Sequence, residues 1–170
     1  WGTMPTLPNR TSPPDVITRE HEPASGRYPT YRPCLRWEFA FTCAFCLTHE
    51  ADLTEHGIEG TGLASIEHRV AQSDPTQGAD QTHRYENCYY ACRFCNGARS
   101  ARPIVDARGR RLLDPCRDAW SRHFHRTGDE LAPRDADADA TYTAEAYDVN
   151  EPRKRQMRYD REQALRVAKR

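Results

Sequence analysis

The sequence predicts an α+β domain whose core is too small to be held by apolar burial alone and is fastened by a bound metal. Three observations predict this. Leu, Ile, Val and Phe supply only 23 of the 170 residues, about 14%, where an ordinary globular domain carries more than roughly 20%. A shortage of this kind reads as disorder only when net charge is high, and here 25 basic side chains balance 25 acidic ones. Two CxxC pairs, Cys43 with Cys46 and Cys92 with Cys95, flank a strand-like segment, and the second pair opens a helical pattern.

The length suits one core with decorations. No run approaches the roughly 18 consecutive apolar residues of a membrane span, and no apolar block of a secretory signal opens the chain, so a soluble, cytoplasmic protein without membrane contact is expected. Residues 1–3, ahead of Met4, read as a tag remnant. Residues 1–33 read as an irregular N-terminal arm, because 4–33 contain seven prolines among polar residues. From Cys34 the stretch "CLRWEFAFTCAFC" implies a short helix or strand that delivers the first cysteine pair.

"GLASIEHRV", residues 62–70, alternates between turn-rich flanks and predicts a strand. The Gly-, Pro-, Asp- and Gln-rich segment after it predicts a loop. A helix is expected from Cys92 to about Pro103. "DPCRDAWSRHF", residues 114–124, predicts another helix capped by Asp114, with Pro115 at its first position and Trp120 and Phe124 one turn apart in the core. Residues 127–170 read as an acidic solvated loop followed, from Glu151, by a helix with Met157, Ala164, Leu165 and Ala168 on a sparse apolar side.

Two CxxC pairs suit tetrahedral zinc, because two thiolates three residues apart on a tight turn can reach one ion at about 2.3 Å. A redox pair or disulfides remain alternatives, and the apparent compartment favours metal. Cys34, Cys88 and Cys116 fit small buried hydrophobes and are assigned no role.

Charge is unevenly distributed. Arg84 to Arg126 holds ten arginines and no lysine against four acids, residues 150–170 hold eight basic against three acidic side chains, and 129–148 hold seven acids against one Arg. The zero net charge therefore reads as a polarised chain. Guanidinium forks match phosphate oxygens, which makes Arg93, Arg99 and Arg102 candidate substrate-binding residues.

Between the cysteine pairs stand Glu67-His68 at the end of the expected strand, then Asn87, then Asn96 directly after Cys95. This order resembles the HNH endonuclease family, of the kind in which two CxxC knuckles bracket the catalytic motif. The resemblance covers residues 34–102 through motifs and extends through "LLDP" and "HF" to 126, giving an expected nuclease domain over 34–126. It implies a treble-clef-like ββα-metal core stapled by a four-cysteine zinc site, with Cys43, Cys46, Cys92 and Cys95 as ligands. It further implies Glu67 and His68 at the end of the first strand, Asn87 bracing the loop, and Asn96 at the final position, an HNN variant. Glu67 replaces the family's frequent Asp, and Val70, Ala71 and Gln72 stand where a Pro often follows the His.

On that resemblance, His68 is the expected general base and Glu67 with Asn96 would hold a hard divalent ion, Mg²⁺ or Mn²⁺, on the scissile phosphate of DNA. Two other readings stand beside it. One is a non-catalytic zinc-stabilised module that binds nucleic acid or protein through its arginines. The other is an effector nuclease of an antiphage or restriction system, activated by a protein partner docking on the N-terminal arm or C-terminal helix.

Overall fold

The computed structural model describes residues 13–168 apart from 22, 24, 25 and 56. The expected tag remnant and the first part of the arm lie outside the described residues. A single 3-10 turn, Tyr28–Tyr31, runs into α1, Arg32–Glu38. The first cysteine knuckle follows, then a minimal hairpin of β1, Thr54–Glu55, and β2, Ile58–Glu59, turned by Gly57 at φ +79°. Next come β3, Ala64–His68, the short α2, Gly78–Gln81, β4, Cys88–Cys92, and α3, Arg93–Arg99. The chain closes with α4, Trp120–His123, β5, Phe124–Thr127, β6, Glu130–Pro133, α5, Ala138–Tyr147, and α6, Pro152–Ala168. The three sheets among the described residues are two-stranded and antiparallel, so the architecture is α+β.

The central unit is the β3–β4 pair with α3 springing from its end. Register runs from Ala64 opposite Cys92 to His68 opposite Cys88. Cys92 ends β4 and caps α3, its sulfur accepting from the Cys95 N–H at 3.4 Å. Around this unit lies a core dominated by rings: Phe45 stacks on Tyr147 at 3.7 Å, and Trp120 and Phe124, both fully buried as expected, lie 4.9 Å apart. Aromatic area substitutes for the missing aliphatics.

Several expectations are corrected. The boundary drawn at 33/34 falls inside α1, and the described part of the arm is not loose: Ile17 is 1% exposed and donates its N–H to the Pro115 carbonyl at 2.9 Å. Proline bars this segment from a regular ladder, but its backbone groups are answered singly by the body, as in Trp120 N–H to Asp15 O at 2.7 Å. Arg19 seals the joint by donating to the Tyr85 and Cys88 carbonyls at 3.2 and 2.6 Å, above the rings of Phe39, Tyr85 and Tyr89.

The boundary drawn at 126/127 cuts β5. The expected acidic loop is instead β6 and α5, because Asp137 caps the helix, accepting from the Ala140 N–H at 2.8 Å, and Asp139 sits in the first turn where the helix dipole favours an anion. Over 114–124 the helix is confined to Trp120–His123. Asp114 forms a turn rather than a cap, accepting from Cys116 N–H at 2.9 Å, and Phe124 begins a strand. The expected loop after β3 contains α2. The C-terminal helix forms, yet of its expected apolar side only Met157 is buried; its other buried residues are Lys154 and Arg158.

Candidate metal centre and the adjoining strand–helix face

The two knuckles meet because β4 carries one and receives the other: the Ala44 N–H donates to the Tyr90 carbonyl at 2.9 Å. Leu47 at φ +61° turns the first knuckle back on itself, and the Cys43 N–H closes it on the Thr48 carbonyl at 2.9 Å. The sulfurs of Cys43, Cys46, Cys92 and Cys95 then all lie within 4.8 Å of one another, every one buried and none in a disulfide. Cys46 Sγ and Cys92 Sγ are 3.8 Å apart. A tetrahedron with metal–sulfur bonds of about 2.3 Å has an edge of about 3.8 Å, so this spacing fits zinc.

Burial pushes the Cys95 thiol pKa well above its usual value, whereas at Cys46 burial is outweighed by hydrogen bonds from the other three cysteines, which bring its pKa well below that value, so the cluster shares its protons unequally. A divalent ion must therefore displace protons held by a dry site, and its binding strengthens as pH rises. Two cations reach this cluster from α6. Lys154 donates from Nζ to the carbonyls of Tyr147 and Asp148 at 2.8 and 2.7 Å, and Arg158 donates from Nη1 to the Cys46 carbonyl at 3.0 Å. Burial depresses the Lys154 pKa, but the four cysteine sulfurs raise it by more, so its net shift is upward. Sequence reasoning missed both. The available signal was one of only two lysines among 23 arginines, spaced i, i+4 from Arg158 and beside the one buried methionine of the helix.

The face between β3 and α3 gathers Glu67, Asn96 and Arg99. Asn96 donates from Nδ2 to Ser65 Oγ and the Ile66 carbonyl at 3.2 and 3.3 Å. Arg99 Nη1 lies 3.3 Å from Glu67 Oε1 and also reaches the His68 carbonyl at 3.3 Å, while Nη2 donates to the Arg69 carbonyl at 2.7 Å. Two effects oppose at the Glu67 carboxyl. Burial favours the neutral acid and Arg99 favours the carboxylate; burial wins and the pKa is pushed up to about 8. Burial prevails because Oε1 receives no well-aligned hydrogen bond despite the guanidinium nearby, and Arg99 Nε is likewise unanswered.

The His68 ring lies elsewhere. Strand alternation turns it away from Glu67, onto a side where the Tyr28 ring meets it edge-on at 4.6 Å. Its Nε2 is 3.0 Å from the Thr82 carbonyl, which can only accept, so Nε2 carries the proton and Nδ1 is the basic nitrogen. Burial lowers its pKa, with the Thr82 carbonyl opposing and His83 and Arg99 assisting. Asn96 bonds β3 at Ser65 and Ile66 and Glu67 pairs with Arg99, while the His68 ring packs against Tyr28 and Thr82 instead. Tyr28 and Thr82, its actual neighbours, carry no sequence signal of that role.

Asn87 bridges the loop after His68: its Oδ1 accepts from Val70 N–H at 2.7 Å, and Nδ2 donates to the Val70 and Gln81 carbonyls, both at 3.1 Å. The substrate-binding expectation fails for Arg99, which is 2% exposed and committed to carbonyls and Glu67, since it points under the strand end rather than outward. Arg93 is half exposed but 3.3 Å from Glu55, and Arg102 is exposed and donates to the Glu145 carbonyl at 3.4 Å.

The expected charge polarisation is also corrected. Folding returns the acidic segment to the arginines: Asp139 lies 3.1 Å from Arg111, Glu145 3.3 Å from Arg110, and Asp129 2.9 Å from Arg155. Among the described residues no helix is long and apolar enough to cross a membrane. No family model, curated protein or solved structure matches this chain.

Proposed function

We propose that the protein is a metal-dependent endonuclease of the HNH kind, built on a ββα-metal unit formed by β3, β4 and α3, and acting on DNA. The observation that carries this reading is Glu67 Oε1, a buried carboxyl oxygen with no hydrogen bond, on a strand whose preceding residue, Ile66, is bonded by the Asn96 amide of α3 and whose next residue carries an oriented imidazole. An unanswered buried acceptor is a place for a cation. Glu67 and Asn96 would hold Mg²⁺ or Mn²⁺, which supplies Lewis acidity at the phosphate when bound. His68 would take the proton of the attacking water at Nδ1, and Asn87 would hold the chain behind it. The two side chains leave opposite faces at the very end of β3, so a phosphodiester laid across that end is the position both can reach. Reaching it requires Arg99 to release Glu67 and Tyr28 to yield.

The second reading, a non-catalytic zinc-stabilised binding module, is favoured by Arg99, which already stands where the catalytic cation would. A plasmid-nicking assay separates the two. With Mg²⁺ or Mn²⁺ the wild-type chain is expected to nick, and His68→Ala and Asn96→Ala, both zinc-loaded and folded, are expected to lose about 100-fold or more. No metal-dependent nicking by clean wild-type protein, or undiminished nicking by His68→Ala, defeats the nuclease reading.

A further inference from the structure

Helix α6 presents an anomaly. It is docked through its charges rather than its apolar residues, and Lys154 and Arg158, 1% and 2% exposed, have no carboxylate within ion-pair distance among the described residues. Lys154 Nζ donates only to carbonyls, and the Glu151 carboxylate below it takes the Lys154 backbone N–H instead. Arg158 donates to the carbonyls of Cys46, Asp129 and Val149 and to Asn150 Oδ1, while the nearby Asp129 carboxylate is engaged by Arg155. Buried cations without a counter-ion are costly enough that some anion must answer them. Arg158 Nη1 reaches the Cys46 carbonyl of the first knuckle at 3.0 Å, and Lys154 is buried one turn before it on the same helix.

A divalent ion held by four thiolates carries two net negative charges. Two buried cations, one of them bonded to the Cys46 carbonyl, lie on the helix packed beside it. We propose that Lys154 and Arg158 are the electrostatic partners of a fully deprotonated four-thiolate centre, and that this balance latches α6 onto the metal site. The geometry also specifies what the site accepts. A divalent ion with all four cysteines ionised closes the balance; an empty site with protonated thiols, or two disulfides, leaves both cations buried without an anion. Loss of the ion or oxidation of its ligands therefore releases α6, and α6 in turn selects the loaded, reduced state.

The test uses the full zinc-loaded chain in competition with a chromogenic chelator. Lys154→Met and Arg158→Gln are expected to weaken zinc binding about 10- to 100-fold, as loss of outer-shell partners does. Lys154→Arg, which keeps the charge, and Arg155→Gln, whose partner is Asp129, should stay within about threefold of wild type on the same scale. Wild-type affinity in Lys154→Met, or an equal loss in Lys154→Arg, overturns the proposal, because volume and not charge would then matter. Amide exchange over 152–168 in the wild-type chain provides a second measurement that needs no variant. As a chelator withdraws zinc, α6 should lose protection before the β3–β4 pair does, and simultaneous loss of the two, or α6 outlasting the pair, overturns the latch.

Discussion

The cysteine centre and the Glu67 face share β4 and α3, yet they differ in how their buried polar groups are answered. Around the cysteines, Lys154 and Arg158 place their donors on carbonyls at 2.7 to 3.0 Å. One turn further along α3, the Glu67–Arg99 pair leaves an oxygen and a nitrogen without hydrogen bonds. Saturated groups fix geometry, whereas unsaturated ones retain the capacity to bind something else. A single helix therefore carries scaffold at Cys95 and, one turn on, incomplete pairing at Arg99. Asp52 and Arg161 show the same incomplete pairing at 3.6 Å between the first knuckle's flank and α6, so the pattern alone does not define a reactive site; adjacency to His68 distinguishes the Glu67 pair.

The sharpest way to break the contrast is to remove a ligand from the saturated side. Cys92→Ser should abolish the folded state at neutral pH, since structural zinc contributes on the order of 10 kcal/mol to domains of this kind. Circular dichroism and zinc content check this, and a cooperative melt in a zinc-free variant would contradict it.

On the unsaturated side the expected effect is smaller and depends on pH. The native Glu67 pKa of about 8 lies above its unfolded value, so the folded state binds the extra proton between the two. The stability associated with that proton is fully present below the unfolded pKa and is lost as pH rises through about 8. Glu67→Gln should therefore match wild type near pH 4 and be more stable above pH 8 by on the order of a few kcal/mol in the zinc-loaded, Mg²⁺-free protein, read by denaturant midpoints. Millimolar Mg²⁺ should suppress this difference if the carboxyl holds a cation. If the midpoint differences are identical with and without Mg²⁺, the two regions differ in saturation but not in function.

Asn87→Ala removes three hydrogen bonds of 2.7 to 3.1 Å and is expected to cost about 2 to 3 kcal/mol in chemical denaturation, with zinc content unchanged. The smallest effect is expected at Arg93, whose exposed pair with Glu55 should contribute less than about 1 kcal/mol. Arg93→Ala should leave the melting temperature nearly unaltered, and any loss of DNA binding by that variant, measured by anisotropy across a salt series, would then report phosphate contact alone.

What was legible in the sequence follows a physical divide. The cysteine pairs, the strand at 64–68 and the helix after Cys92 are specified by local spacing, and they were readable from it. The resemblance, rather than local spacing, puts Asn87 at the brace of the loop after His68, and its amide bonds Val70 and Gln81 there. Long-range charge pairing was not readable. Arg99 looked like a surface arginine until α3 placed it under the end of β3, and the acids of 129–148 looked solvated until folding set them against Arg110 and Arg111. Lys154 is the clearest case: a lysine in a polar helix has no local signature of burial, and only the fold shows the Tyr147 and Asp148 carbonyls that receive it.

The bridge made by Asn87 also bears on how the protein can change over time. By tying Val70 to Gln81 through one side chain, it closes the excursion between them independently of what that excursion contains. In loop-closure terms, doubling such a segment costs only about 0.6 kcal/mol. The exposed positions around Pro75 and Thr76 are thus where length can vary while β3 and β4 stay in register.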